Sequence, residues 1–168
     1  MDKTKREELS KKTSIQNFRF QRYMLLRYLL ALFFFSNLYW VLGLYLGGNF
    51  TGMILPAGLL VLSLPAIAEH VKLYGDKRRL VFQQLHFNRI YFWSQMCVNL
   101  VLIVISLGNI GFSYLFPFFT KVVSTRIIFS AILFVGGLLA YLCIHRIKLI
   151  AANGDKHYQR MLAFEKAK

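Results

Sequence analysis

The sequence predicts an all-α polytopic membrane protein built as a bundle of four transmembrane helices. Three observations carry this. First, residues 28–68, 90–120 and 127–144 contain no Asp, Glu, Lys or Arg. A charged side chain at the bilayer centre costs about 2.5–3.5 kcal/mol on insertion scales, whereas a soluble domain has no reason to avoid charge for so long. Second, these stretches divide into four segments of about 20 residues, the length that crosses a ~30 Å hydrocarbon core. Third, the basic residues fall on one side of such a bundle.

The elements follow in order. Residues 1–14 are polar and charged, which predicts a mobile or partly ordered start. Ile15, Phe18 and Arg22 then follow helical spacing, so the first helix is expected to begin outside the membrane and run into it. The first span is placed at 27–46. Gly47-Gly48-Asn49-Phe50-Thr51-Gly52 supplies a turn, and the second span is placed at 52–68, with Pro56 and Pro65 expected to bend it. In the connection 70–88, Val71, Tyr74, Arg78, Val81, Phe82 and Leu85 share a helical stripe. That stripe suits the headgroup layer or an extension of the second span. The third span is placed at 91–110, leaving 111–120 at the interface, and the fourth at 127–145. The domain division is therefore a basic N-terminal segment 1–22, a four-span domain 23–146 and a basic tail 147–168.

Of the 21 Lys and Arg residues, 19 lie in residues 1–27, 70–89 and 146–168; only Lys121 and Arg126 lie elsewhere. Basic residues in short loops favour the cytoplasmic side. Both termini are therefore expected in the cytoplasm of a multi-pass protein of the cell membrane. An internal echo accompanies this. Phe20-Gln21-Arg22-Tyr23 resembles Phe87-Asn88-Arg89-Ile90, and both hairpins end in His, Lys-Leu and Gly-Asp-Lys, at Gly75-Asp76-Lys77 and Gly154-Asp155-Lys156. Tandem duplication of a two-helix hairpin and coincidence both account for it; duplication needs gaps, because the offset between the paired motifs changes.

The formal net charge of +14 would suggest nucleic acid in a soluble protein. Here it is the topology signal. The aromatics sit within or beside the spans, not interleaved with the basic clusters as a base-stacking platform requires. The expected partners are anionic lipid headgroups, with Lys77, Arg78, Arg79, Arg89, Arg146 and Lys148 as candidate contacts. Cys97 and Cys143 fall inside spans and read as small apolar residues, not a disulfide framework. The basic start and apolar run imitate a signal peptide, but the run is too long and no A-x-A site follows. Asn49-Phe50-Thr51 fits the glycosylation pattern on a loop too short to use it.

No catalytic, phosphate-binding or metal-spacing motif is present. His70, His86, His145 and His157 are scattered. No cofactor and no enzymatic activity are expected. Ion-coupled carriers need an ionisable group within the membrane. The nearest acid is Glu69 beside His70, read either as a polar gate or as an interfacial residue paired with Arg89 or Arg146. Small multidrug carriers also have four spans but depend on a Glu in the first; here its interior offers Ser36 and Asn37 instead.

Polar residues within spans read first as hydrogen bonds between helices. Asn37 and Asn99 stand out, because an Asn facing lipid is costly. Gly43 and Gly47 form a GxxxG, and Gly136 with Ala140 a second small-residue pair, so these six residues are the candidate helix-packing or partner face. Phe112, Tyr114, Leu115, Phe116, Pro117, Phe118 and Phe119 read as an interfacial aromatic belt, or as a re-entrant or docking segment. The functional expectation is a non-enzymatic subunit or accessory protein. It would bind another integral membrane protein in a transport, secretion or envelope assembly, or protect a membrane target as an immunity protein does. The alternative is a small homo-oligomeric transporter or channel.

Overall fold

The computed structural model describes residues 3–75, 85–108, 111–119, 122–156 and 158–159. Among them there is no strand. Helix α1 spans Lys3–Leu46, α2 Ile54–Gly75, α3 His86–Gly108, the one-turn α4 Phe112–Leu115, and α5 Val123–Ala151. Four helices contain stretches long and apolar enough to cross a membrane: Gln21–Leu46, Ile54–Lys72, His86–Gly108 and Val123–Ala151. This is the expected all-α four-span bundle.

The helices run up and down, so the ends of α1 and α5 that lead to the chain termini share one end with the α2–α3 connection. The α1–α2 turn and the α3–α5 loop form the opposite, hairpin end. Neighbours pack in a ring: α1 on α2, α2 on α3, α3 on α5, and α5 back on α1, with α3–α5 the most extensive interface. Large apolar residues such as Leu32, Val61, Val104 and Phe134 face outward and are more than half or nearly half exposed. In water this would be unstable; in lipid it is the ordinary outer face of a span.

Several boundaries differ from the sequence expectation; α2, for one, runs on to Gly75, past the placed end at 68. Helix α1 does not start near Ile15; its backbone is helical from Lys3. Residues 3–20 thus extend α1 beyond its span by about 27 Å at ~1.5 Å per residue. Helix α3 begins at His86, five residues before the placed span, because the turn holding Asn88 and Tyr91 is buried. Helix α5 passes His145, Arg146 and Lys148 to reach Ala151, because Ile147 and Ile150 remain in the core. Of the 70–88 stripe, Arg78, Val81 and Phe82 lie outside the described residues.

Helix ends are set by recognisable backbone caps. At α1, Gly48 adopts φ 70°, the Asn49 N–H donates to Leu44 O at 2.9 Å and the Gly48 N–H to Tyr45 O at 3.0 Å. This paired pattern closes a helix with a left-handed residue, for which Gly carries no Cβ penalty. Helix α5 ends the same way. Asn153 stands at φ 53°, with Gly154 N–H donating to Leu149 O at 3.0 Å and Asn153 N–H to Ile150 O at 3.1 Å. Pro56 sits in the first turn of α2, where a missing N–H is tolerated, and Pro65 lies inside that helix.

The interior is layered. Toward the termini end, Leu26, Leu30, Phe33, Ala66, Tyr91, Phe92, Ala140, Cys143, Ile144 and Ile150 form one apolar core. Toward the hairpin end, Leu102, Phe112 and Phe116 form a second, flanked by Trp40, Ile105 and Phe129. Polar side chains lie between these cores and at the termini end.

Candidate functional site

The layer between the two cores is a ladder of amides. Asn37 on α1 donates from Nδ2 to Phe33 O at 2.9 Å, one turn back, and to Gln95 Oε1 on α3 at 2.9 Å. Gln95 Nε2 donates to Asn99 Oδ1 at 3.1 Å, and Asn99 Nδ2 reaches Leu133 O on α5 at 3.5 Å. The chain of bonds therefore ties α1, α3 and α5 together near mid-span. Asn37, Gln95 and Asn99 are all buried. Gln95 and Asn99 stand four apart on α3, so they meet on one face. Gly136 makes room for the ladder: a Cβ there would stand 2.8 Å from Asn99 Nδ2. Ala140, one turn on, is fully buried. Of the six candidate packing residues, Asn37, Asn99, Gly136 and Ala140 thus face the bundle's own interior.

Gly43 and Gly47 lie against the α3–α5 loop, Gly43 half-buried and Gly47 exposed. A Cβ on Gly43 would stand 2.9 Å from the Phe118 ring, and one on Gly47 3.1 Å from Pro117 Cγ. The strip read as a helix-packing or partner face thus has the chain's own α3–α5 loop packed against it. The loop is held by more than contact. Trp40 stacks on Phe116 with centroids 5.0 Å apart, and its indole N–H donates to Leu115 O at 3.1 Å. Asn49 donates from Nδ2 to Tyr114 O, while its Oδ1 accepts the Gly52 N–H. The aromatic segment is accordingly two-faced. Phe112 and Phe116, four apart, are buried, whereas Tyr114, Phe118 and Phe119 are exposed at the hairpin end. The expected belt accounts for the outer half alone.

At the termini end lies a layer of ionisable groups. Arg22 and Asp155 form a buried ion pair, with Nη2 at 2.6 Å and Nε at 3.0 Å from Asp155 Oδ1. Nη2 also donates to Ile150 O at 3.0 Å and Asn153 Oδ1 at 2.9 Å. The guanidinium thus caps the carbonyl end of α5 while the Tyr158 ring covers it at 5.0 Å. Asp155 Oδ2 accepts the Tyr158 N–H. One latch therefore joins the first helix to the start of the tail.

Glu69 and His70, the candidate gate, lie in the same layer. The Glu69 carboxylate accepts the backbone N–H groups of Phe87 and Asn88 and the Asn88 amide, each at 2.9 Å. It caps the N-terminus of α3, where unpaired N–H groups favour an anion. The interfacial pairing expected with Arg89 or Arg146 is replaced by this cap; Arg89 is exposed and Arg146 half-buried. His70 is buried beside it. Of the candidate lipid contacts, Arg89 and Lys148 are exposed at the termini end together with Lys72 and Lys156. Lys77, Arg78 and Arg79 lie outside the described residues.

Sequence reasoning did not pick out Asp155, Asn88 or Tyr91, and read Gln95 only among the in-span polar residues that bond helices together. Gln95 and Asn99 carried a usable signal in their four-residue spacing. Asp155 carried a weaker one, an acid directly following the helix-ending Asn153-Gly154. Among the described residues no group of three His, Cys, Asp or Glu side chains is placed to hold a metal. Cys97 is exposed on α3 and Cys143 buried on α5, both as free thiols. No family model matches the chain, and the searches of curated proteins and of solved structures return no match.

Proposed function

We propose that this chain is a non-enzymatic integral membrane subunit that binds a larger transport, secretion or envelope assembly, with both termini in the cytoplasm. One observation carries the reading. The strongly polar side chains near mid-span, Asn37, Gln95 and Asn99, are bound to each other and to backbone carbonyls of the same bundle. A carrier needs polar groups that exchange partners with cargo; a scaffold needs them fixed. The Glu69 carboxylate supports the same reading, since its three hydrogen bonds hold the start of α3.

The orientation rests on the basic residues: the exposed Lys72, Arg89, Lys148 and Lys156 at the termini end suit the anionic cytoplasmic leaflet. The surface offered to a partner is then the lipid-facing side of the spans and the extension of α1 over residues 3–20. The test is native electrophoresis in mild detergent. Protein from its own membranes is expected to migrate in a larger complex than the same chain made alone in foreign membranes. Identical migration from both sources overturns the proposal.

A further inference from the structure

Asp155 has a second task besides pairing with Arg22. Its Oδ2 accepts the Tyr158 N–H at 3.2 Å, and its carbonyl accepts the Gln159 N–H at 3.2 Å. A side-chain oxygen bonded to the N–H three residues on, over the first i to i+4 backbone bond, is the mark of an N-cap, for which Asp is favoured. Lys156, Tyr158 and Gln159 are helical. A new helix therefore opens at Asp155, just after Asn153 and Gly154 close α5. Its first turn sits on α1, because Arg22 Nη2 grips the capping carboxylate at 2.6 Å and the guanidinium lies 5.0 Å from the Tyr158 ring centroid. The segment that follows, 160–168, lies outside the described residues.

Helical spacing continues both surfaces outward. From Tyr158, one face of a helix recurs at Met161, Leu162 and Glu165. On α1, helical from Lys3, the face that holds Arg22 recurs at Phe18, Ile15 and Lys11. Thr13 and Asn17, on the opposite face, are exposed. Each strip thus starts with two apolar residues and ends in one charge, and the two charges are opposite. The depths agree as well. Counted from the Arg22–Asp155 contact, Ile15 and Leu162 are each seven residues out, and Lys11 and Glu165 are eleven and ten. At ~1.5 Å per residue these pairs stand level. We infer that the tail packs antiparallel along the extension of α1, with Met161 and Leu162 against Phe18 and Ile15, and Glu165 beside Lys11. The latch is then the inner end of a longer interface. That interface also accounts for the helix at residues 3–20, since an isolated helix of that length is marginal in water. The inference rests neither on the subunit reading nor on the orientation.

Cross-linking in nanodiscs tests this. In a chain carrying Cys97→Ala and Cys143→Ala, Ile15→Cys is combined with Leu162→Cys and, as the control, Asn17→Cys with Leu162→Cys. Facing positions of two packed helices come within disulfide reach, and positions on opposite faces do not. Under mild oxidation the 15–162 pair is expected to close within one chain about tenfold faster than the 17–162 pair, as its thiols share a high effective concentration. Equal rates, no closure, or bridges only between chains overturn the inference. Should the paired variants fail to fold, amide exchange decides. Leu162→Asp is expected to raise exchange over 8–20 about tenfold, as the α1 extension loses its support. Unchanged exchange means that the tail lies on lipid or elsewhere, and overturns the inference too.

Discussion

Gly136 and Gly137 are neighbours on α5 with opposite demands. A Cβ at Gly136 would press on the Asn99 amide at 2.8 Å, whereas one at Gly137 meets nothing within 4 Å. Gly136→Ala must displace Asn99, which loosens the ladder, and overpacking of this kind costs about 1–3 kcal/mol. Gly137→Ala removes a flexible residue from a helix and should be neutral or stabilising by up to about 1 kcal/mol. Thermal unfolding in nanodiscs is expected to rank Gly136→Ala below wild type and Gly137→Ala at or above it; equal values would remove the ladder from the account. The latch makes a second residue-scale prediction. Its side chains are 8 % and 0 % exposed, so Arg22→Met strands a buried carboxylate, a loss of about 3–5 kcal/mol. Adding Asp155→Leu should recover much of that loss. A double variant as unstable as Arg22→Met alone would show that packing, not charge, fails.

These two sites also show what the sequence disclosed. That Asn37, Asn99 and the small pair Gly136 and Ala140 serve helix packing was legible, because an Asn in lipid is costly and small residues admit close approach. Which groups they meet was not. Asn99 needs Gly136 across a helix interface, and Arg22 finds Asp155 at a separation of 133 residues. Neither pairing has a local period or spacing to reveal it. Glu69 was legible as the unusual acid, but a carboxylate with Arg89 and Arg146 as candidate partners reads as an ion pair. Its actual partners are backbone N–H groups, which the sequence does not distinguish.

At the scale of elements, helix positions were legible from charge-free runs, and helix ends were less so. Helices α3 and α5 outrun their placed spans because buried residues, Asn88 in one and Ile147 and Ile150 in the other, continue past the charges. The α3–α5 loop is the clearest case of tertiary structure deciding local form, since its Phe112 and Phe116 turn inward onto Trp40 and Phe129. Its seat on α1 needs Gly43 and Gly47. Replacing both by Leu is expected to lift the loop. In a Trp93→Phe background, the emission of Trp40 should then shift and amide exchange over 112–119 should rise at least tenfold. Unchanged emission and exchange would mean that the loop is held by Asn49 and Trp40 alone. The cap on α3 gives a related expectation. Glu69→Leu leaves the Phe87 and Asn88 N–H groups and the Asn88 amide without their acceptor, at about 1–3 kcal/mol for each buried unpaired group. Glu69→Gln retains an acceptor oxygen and should lose far less, as read by thermal unfolding of the two variants side by side.

For the whole molecule, the polar interior is arranged to fix four helices, and the exposed cations among the described residues, Lys72, Arg89, Lys148 and Lys156, lie at one end. The proposed orientation, with both termini in the cytoplasm, is suggested by the second point and is checked by labelling. In a background lacking Cys97 and Cys143, single cysteines at Lys3, Lys77 and Lys166 should resist an impermeant thiol reagent in intact cells, while Thr51→Cys at the hairpin end should react. Thr51 is preferred to Asn49, whose amide holds the Tyr114 carbonyl. The reverse pattern would invert the topology. The central claim, that this bundle serves as a subunit of a larger membrane assembly, is tested most directly by purifying the chain from its native membranes in mild detergent, quantifying every protein that accompanies it, and assaying the material in vesicles. The account predicts another integral membrane protein at fixed stoichiometry, and no solute flux from this chain alone. A homo-oligomer free of other proteins that conducts a solute by itself would contradict it.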